Sequence, residues 1–108
     1  MTETVKKELD KIVSTLVETG IVTKIILFGS HARGEENADS DIDLCVLTSE
    51  KDKRPVTLMQ DFRRKLCRIK TMPLDLLAFN QDAFYSNAVR PTSFEHEIVE
   101  NGVLIYDR

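Results

Sequence analysis

The chain has 108 residues, 42% of them hydrophobic and 31% charged, and carries a net charge of −3. That size predicts a single domain spanning residues 1–108 with one core, since a chain of this length buries about two-thirds of its unfolded surface. The negative balance argues against a general nucleic-acid-binding face, and no apolar run approaches the roughly 18–20 residues needed to cross a membrane. The charged N-terminus is followed by no apolar signal segment, so a cytoplasmic location is expected. Cys45 and Cys67 sit in apolar surroundings outside any CxxC pattern. They read as reduced, buried thiols and give no support for zinc.

Residues 2–18 predict an amphipathic helix. Val5, Leu9, Ile12, Val13, Leu16 and Val17 recur at helical spacing, while Lys6, Lys7, Glu8, Asp10 and Lys11 fill the other face. Thr2 or Thr4 can cap its start, and Gly20 stops it. The β-branched run 21–28 predicts a central strand ended by Gly29. A helical turn over 30–34, a polar loop over 35–40 and a second strand over 41–47 follow. After a charged connection, Pro55 opens a helix whose apolar stripe is Val56, Met59, Phe62, Leu66 and Ile69. Residues 73–79 predict a third strand, apolar except for Asp75. A short helix over 82–89 stops near Pro91, Ser93 caps another, and 103–106 closes the chain as a strand. The order α-β-β-α-β-α-β indicates an α+β fold: a small mixed sheet packed by helices.

The chemistry is concentrated between Leu27 and Leu44. Gly29-Ser30 ends one strand, residues 31–40 are polar, and Asp41-Ile42-Asp43 opens the next. Residues two apart on a strand share a face, so Asp41 and Asp43 project together while Ile42 and Leu44 turn to the core. Asp75, a lone carboxylate in a strand expected to be buried, completes a cluster if its strand lies beside the second. Three clustered carboxylates would repel one another, a repulsion that Mg²⁺ relieves, and such a set suits a two-metal site. Alternatively, each acid is a solvated turn residue, and the combination with Gly29-Ser30 is what favours a site. Gly29 lets a triphosphate approach the backbone, Ser30 offers a hydroxyl and an N–H, and Arg33 lies one turn along as a planar donor. His31 reads equally as a weaker phosphate donor or as a solvated loop histidine.

Assembled, these residues resemble the minimal nucleotidyltransferases of the DNA polymerase β superfamily. The likeness rests on Gly29-Ser30, Asp41-Ile42-Asp43 and a third acid, Asp75, with Ala32-Arg33-Gly34 and Ser40 adding to it. It extends from the N-terminal helix to the final ENGVLIY segment, and His31 departs from the arginine frequent in that family. The resemblance implies a polymerase-β-like fold and transfer of AMP from ATP to a hydroxyl, with two Mg²⁺ ions. It makes Asp41, Asp43 and Asp75 catalytic metal ligands, and Gly29, Ser30, His31 and Arg33 the nucleotide-binding residues.

The stretch after Asp75 is too short for a substrate-binding domain, so the acceptor is expected to be small or to be carried by another protein. The resemblance implies a HEPN-domain toxin as partner, adenylylated on a tyrosine, with this chain as antitoxin of a type VII-like pair. A module that only masks its partner, or an aminoglycoside-type nucleotidyltransferase, are the alternatives. The basic residues Arg63, Arg64, Lys65, Arg68 and Lys70 read as a solvated helix edge, Phe84 and Tyr85 as core, and His96 as structural or exposed.

Overall fold

The computed structural model describes residues 2–34 and 41–108. The expected polar loop over 35–40, Ser40 included, lies outside the described residues. Helix α1 (Glu3–Val17) leads into β1 (Val22–Phe28), the short α2 (Ser30–Arg33) and β2 (Ile42–Thr48). Then come α3 (Pro55–Leu66), β3 (Leu74–Asn80), α4 (Gln81–Ala88), α5 (Phe94–Asn101) and β4 (Val103–Asp107). The local chemistry starts these helices as the sequence suggests. Thr2 accepts a hydrogen bond from the Val5 N–H at 3.2 Å, Ser93 accepts one from His96 at 3.0 Å, and Pro55 occupies the first turn of α3.

The four strands form one mixed sheet in the order β3-β2-β1-β4. β1 runs antiparallel to both β2 and β4, while β2 and β3 are parallel, joined by the crossover through α3. Strand alternation divides the sheet's side chains between two layers. On one face Ile25, Leu27, Ile42, Leu44, Val46, Leu76 and Ala78 pack with α1 and α3. On the other, Ile26, Cys45 and Leu47 pack with Phe84 of α4 and Ile98 of α5. β2 lies inside the sheet between covered faces, and every residue of it is buried except Asp43.

Several expectations need correction. Leu58, Phe62 and Leu66 form the buried stripe of α3 and Val56 is exposed, because i, i+4 and i+8 define a face that position 56 does not share. Cys67 is exposed just past the end of α3, while Cys45 alone is buried. Tyr85 is 38% exposed beside the buried Phe84, its neighbour on a helix having to face away. Glu8, assigned above to the solvent face of α1, is only 2% exposed. It lies three residues after Val5 and four before Ile12, on the buried side of the helix.

Glu8 is buried because it is fully engaged. Its carboxylate accepts from the Thr71 N–H (2.6 Å), the Thr71 hydroxyl (2.9 Å) and the Met72 N–H (3.0 Å), and it pairs with Lys11 at 3.0 Å. Lys11 in turn donates to the Ile69 carbonyl. The segment entering β3 is thereby clasped to α1. Burial alone would raise the Glu8 pKa, but the bonds from Thr71, Lys11 and Met72 outweigh it and bring it from 4.5 to about 2. A carboxylate held below its unfolded pKa stabilises the fold above that value and loses the contribution as pH falls. Glu8→Gln is therefore expected to cost about 2–3 kcal/mol at neutral pH. The gap from wild type should close as pH falls from 4.5 towards 2, measured by urea unfolding across that window. A gap that persists at the acid end would contradict this account.

Candidate active site

Gly29 terminates β1 with φ 75° and ψ −154°, a conformation that side chains resist, and α2 follows at once. A Cβ at this position would collide with the carboxylate of Asp43. Glycine is thus required both by the turn and by the close packing of an acid against it. Ser30 opens α2 half-buried, and Arg33 ends that helix on the surface.

The acids are set by strand pairing. Phe28 on β1 is the register partner of Asp43, and Asp43 is the register partner of Asp75 on β3. Cross-strand partners project from the same face, so Phe28, Asp43 and Asp75 form a row on the side covered by α4 and α5. That row lies at the end of the sheet where β1 finishes and β2 and β3 begin. Asp41 precedes β2 and is exposed. Asp75 is also exposed, because β3 is the outermost strand on its side of the sheet and the acid is its second residue. The expectation of a carboxylate within a buried strand is corrected accordingly. The condition set for its joining Asp43, that β3 lie beside β2, is met.

Burial first, then Asp75 and Asp41, push the Asp43 pKa upward, while His31 and Arg33 pull it down. The carboxylates therefore share one electrostatic environment. Among the described residues, however, no three acidic, imidazole or thiol groups are gathered tightly enough to enclose a metal ion. Like-charged groups gain nothing by converging without a counter-charge. His31 proves to be 6% exposed, so the solvated loop histidine is corrected to one buried on α2. Cys45, on the same face as Asp43, has its thiol pushed up to about 12 by burial and then by Glu95, so it carries no nucleophile.

A cleft of about 250 Å³ opens beside this row, lined by Phe28, Gly29 and Arg33 on one side and by α5 on the other. Its α5 residues, Phe94, Glu97, Ile98 and Asn101, escaped the sequence reading. A phenylalanine directly after the Ser93 cap, off any apolar helical stripe that was assigned, was the available signal.

The polymerase beta nucleotidyltransferase profile matches residues 10–108. The chain belongs to the polymerase beta nucleotidyltransferase family. It is 30% identical over 101 residues to a Methanocaldococcus jannaschii protein assigned as a protein adenylyltransferase, an alignment covering 90% of this chain and 91% of that one. Family membership makes the chain a nucleotidyltransferase. The fold agrees with that of a Sulfolobus solfataricus protein described as a nucleotidyltransferase, at TM-score 0.65 and 21% identity, over 94% of this chain and 79% of the other. It also matches chains of the MntA-HpeT toxin-antitoxin (TM-score 0.61, 20% identity, 92% and 72% covered) and of a toxin-antitoxin with AMP-PNP (0.54, 22%, 91% and 73%). Among the described residues no helix is long and apolar enough to cross a membrane.

The raised Asp43 pKa has a measurable consequence. A carboxylate whose folded pKa exceeds its unfolded one penalises the fold when charged, and the penalty is fully present above the folded value. It is relieved as pH falls towards the ordinary value of 3.8. Asp43→Asn, which keeps the shape and removes the charge, should raise Tm at pH 7 by a few degrees. The gain should shrink on acidification, as followed by thermal unfolding between pH 4 and 7.5. An unchanged or lower Tm for Asp43→Asn at pH 7 would refute the assignment.

Proposed function

We propose that this nucleotidyltransferase moves AMP from ATP to a tyrosine hydroxyl of a HEPN-domain toxin, and so acts as the antitoxin of a type VII-like pair. The observation that carries the reading is the in-register Asp43–Asp75 pair with Gly29 packed against Asp43. It sets a phosphate-tolerant turn against neighbouring carboxylates, the two halves that nucleotidyl transfer needs. The protein acceptor is supported by the relative assigned as a protein adenylyltransferase, and the toxin partner and ATP by the toxin-antitoxin fold neighbours, one of them with AMP-PNP.

Mg²⁺ fits this site on its chemistry. The donors are hard carboxylate oxygens, and after burial it is the charge of Asp75 and Asp41 that raises the Asp43 pKa, a repulsion that a divalent cation relieves. Asp41, Asp43 and Asp75 would hold two such ions, which when bound supply charge neutralisation at the phosphates and make the acceptor hydroxyl more acidic. Ser30, with the backbone at Gly29, would hold the β- and γ-phosphates, and Arg33 would add a planar donor to them, with His31 close by. The acceptor oxygen forms a bond to the α-phosphorus as the bond to the β-phosphate oxygen breaks. Pyrophosphate departs, and Asp75 takes the acceptor's proton. Rate enhancement would come from in-line positioning and charge neutralisation.

The test is incubation with a cognate HEPN-domain toxin, Mg²⁺ and ATP labelled in the α-phosphate. Label is expected on a tyrosine of the partner, and Asp43→Ala should lower the transfer roughly a hundredfold or more. Full neutralisation of the partner by Asp43→Ala would instead identify a masking module. Label in a small-molecule product would identify an aminoglycoside-type enzyme.

A further inference from the structure

We propose that the basic edge formed by the end of α3 and the turn into β3 is the docking surface for the protein acceptor, and that it takes an acidic patch on that protein. The inference rests on the protein-acceptor reading above and adds where the acceptor sits.

Arg63, Arg64 and Lys65 close α3, Arg68 and Lys70 follow in the turn towards β3, and all five are exposed. They gather positive charge at one place in a chain whose net charge is −3. Helix chemistry accounts for only part of the cluster. The last turn of a helix favours cations, and Asp61 lies 3.7 Å from Arg64. Arg68 and Lys70 lie beyond the helix, and among the described residues no carboxylate forms an ion pair with either.

Topology puts this charge beside the reaction. β2 and β3 are parallel, so α3 runs back along the sheet and ends where β3 begins. Asp75 is the second residue of β3, and Lys70 precedes it by a stretch of chain that spans at most about 18 Å. α3 packs on the face opposite the acids, yet β3 is the outermost strand, and among the described residues no further strand pairs with its edge. Arg63 already reaches that edge, its Nη2 lying 3.5 Å from the carbonyl oxygen of Leu76, the residue after Asp75. A protein laid across the β3 edge therefore meets the basic cluster on one side and Asp75 on the other.

The chemistry of the cluster selects its occupant. Asp41, Asp43 and Asp75 repel an acidic surface that approaches them head-on, whereas the positive edge steers it in from the side. Between Asp61 and Lys70 the only aromatic residue, Phe62, is buried, so nucleic-acid bases would find nothing there to stack on. That favours an acidic protein surface over RNA. The relative assigned as a protein adenylyltransferase points to the same class of acceptor.

The double variant Arg68→Glu/Lys70→Glu reverses the two charges that lie outside the helix. It is expected to weaken binding of a cognate HEPN-domain toxin about tenfold or more, mostly through slower association. The salt dependence of binding between about 50 and 500 mM NaCl should flatten with it. In the transfer assay the KM for toxin should rise in step while the KM for ATP stays unchanged. Lys6→Glu/Arg90→Glu, the same charge change at exposed positions of other elements, should match wild type in both readouts, and circular dichroism checks the folding of both variants. Equal toxin affinity in wild type and Arg68→Glu/Lys70→Glu, or an equal loss in both double variants, overturns the docking surface and leaves the enzymatic reading standing. Polyuridylate binding lost in Arg68→Glu/Lys70→Glu with toxin binding unchanged would identify an RNA face instead. Toxin bound but never labelled overturns the enzymatic reading alone, and toxin neither bound nor labelled overturns both.

Discussion

Asp43 and Asp75 stand side by side because β2 and β3 pair in parallel with those residues in register. Everything else about the site depends on that pairing. A slip of one residue would turn Asp43 into the layer under α1 and α3 and bring Ile42 or Leu44 into its place. The apolar residues on either side of Asp43 oppose this: Ile42 and Leu44 are fully buried in the core shared with α1 and α3, and a slip would carry the Asp43 carboxylate into that core in their place. The hydrophobic pattern of β2 is therefore what aims the acid.

Parallel pairing alone does not hold two like charges together. The crossover through α3 brings the chain back to begin β3, and the approach passes under α1, where Glu8 takes both the Thr71 and Met72 N–H groups. Three residues beyond Met72 is Asp75. A buried carboxylate with its hydrogen-bonding capacity met by the backbone and Lys11 makes a fixed anchor, since releasing it would strand a charge in the core. Its position on the opposite face of the sheet from the acids separates the two tasks. One layer supplies cohesion, and the other is left to carry unfavourable charge.

The sequence made the strands, the capped helices and the three acids legible, because each rests on a local pattern: β-branched runs, a residue chemistry at a helix start, or period-two alternation. It concealed what depends on neighbours. Whether β3 is central or outermost cannot be read from Leu74 to Asn80, and the exposure of Asp75 near the start of that strand depends on it. Glu8 was hidden by its type, since a charged residue in an amphipathic helix is normally solvated, although its spacing from Val5 and Ile12 pointed inward. Tyr85 and Cys67 were misplaced for the converse reason: apolar character does not decide a burial that the helix face has already settled. The α5 side of the cleft was invisible because Phe94, Glu97 and Asn101 form a wall only after the chain folds back along β1.

The close fit at Gly29 shows how the two halves of the site are joined. The turn after β1 and the acid on β2 belong to adjacent antiparallel strands, and the absent Cβ lets the Asp43 carboxylate rest against the Gly29 backbone. A phosphate approaching that turn is therefore brought directly beside a carboxylate, an arrangement that repels it unless positive charge intervenes. His31 and Arg33, one turn along, supply part of that charge, as their lowering of the Asp43 pKa indicates. They do not balance it, since burial and the other two acids leave the pKa raised. Burial and the neighbouring acids make the charged form of Asp43 unfavourable where it stands, and a nearby positive charge would relieve that. The same Gly29–Asp43 contact that makes the turn possible thus sets a carboxylate directly against the backbone of the turn.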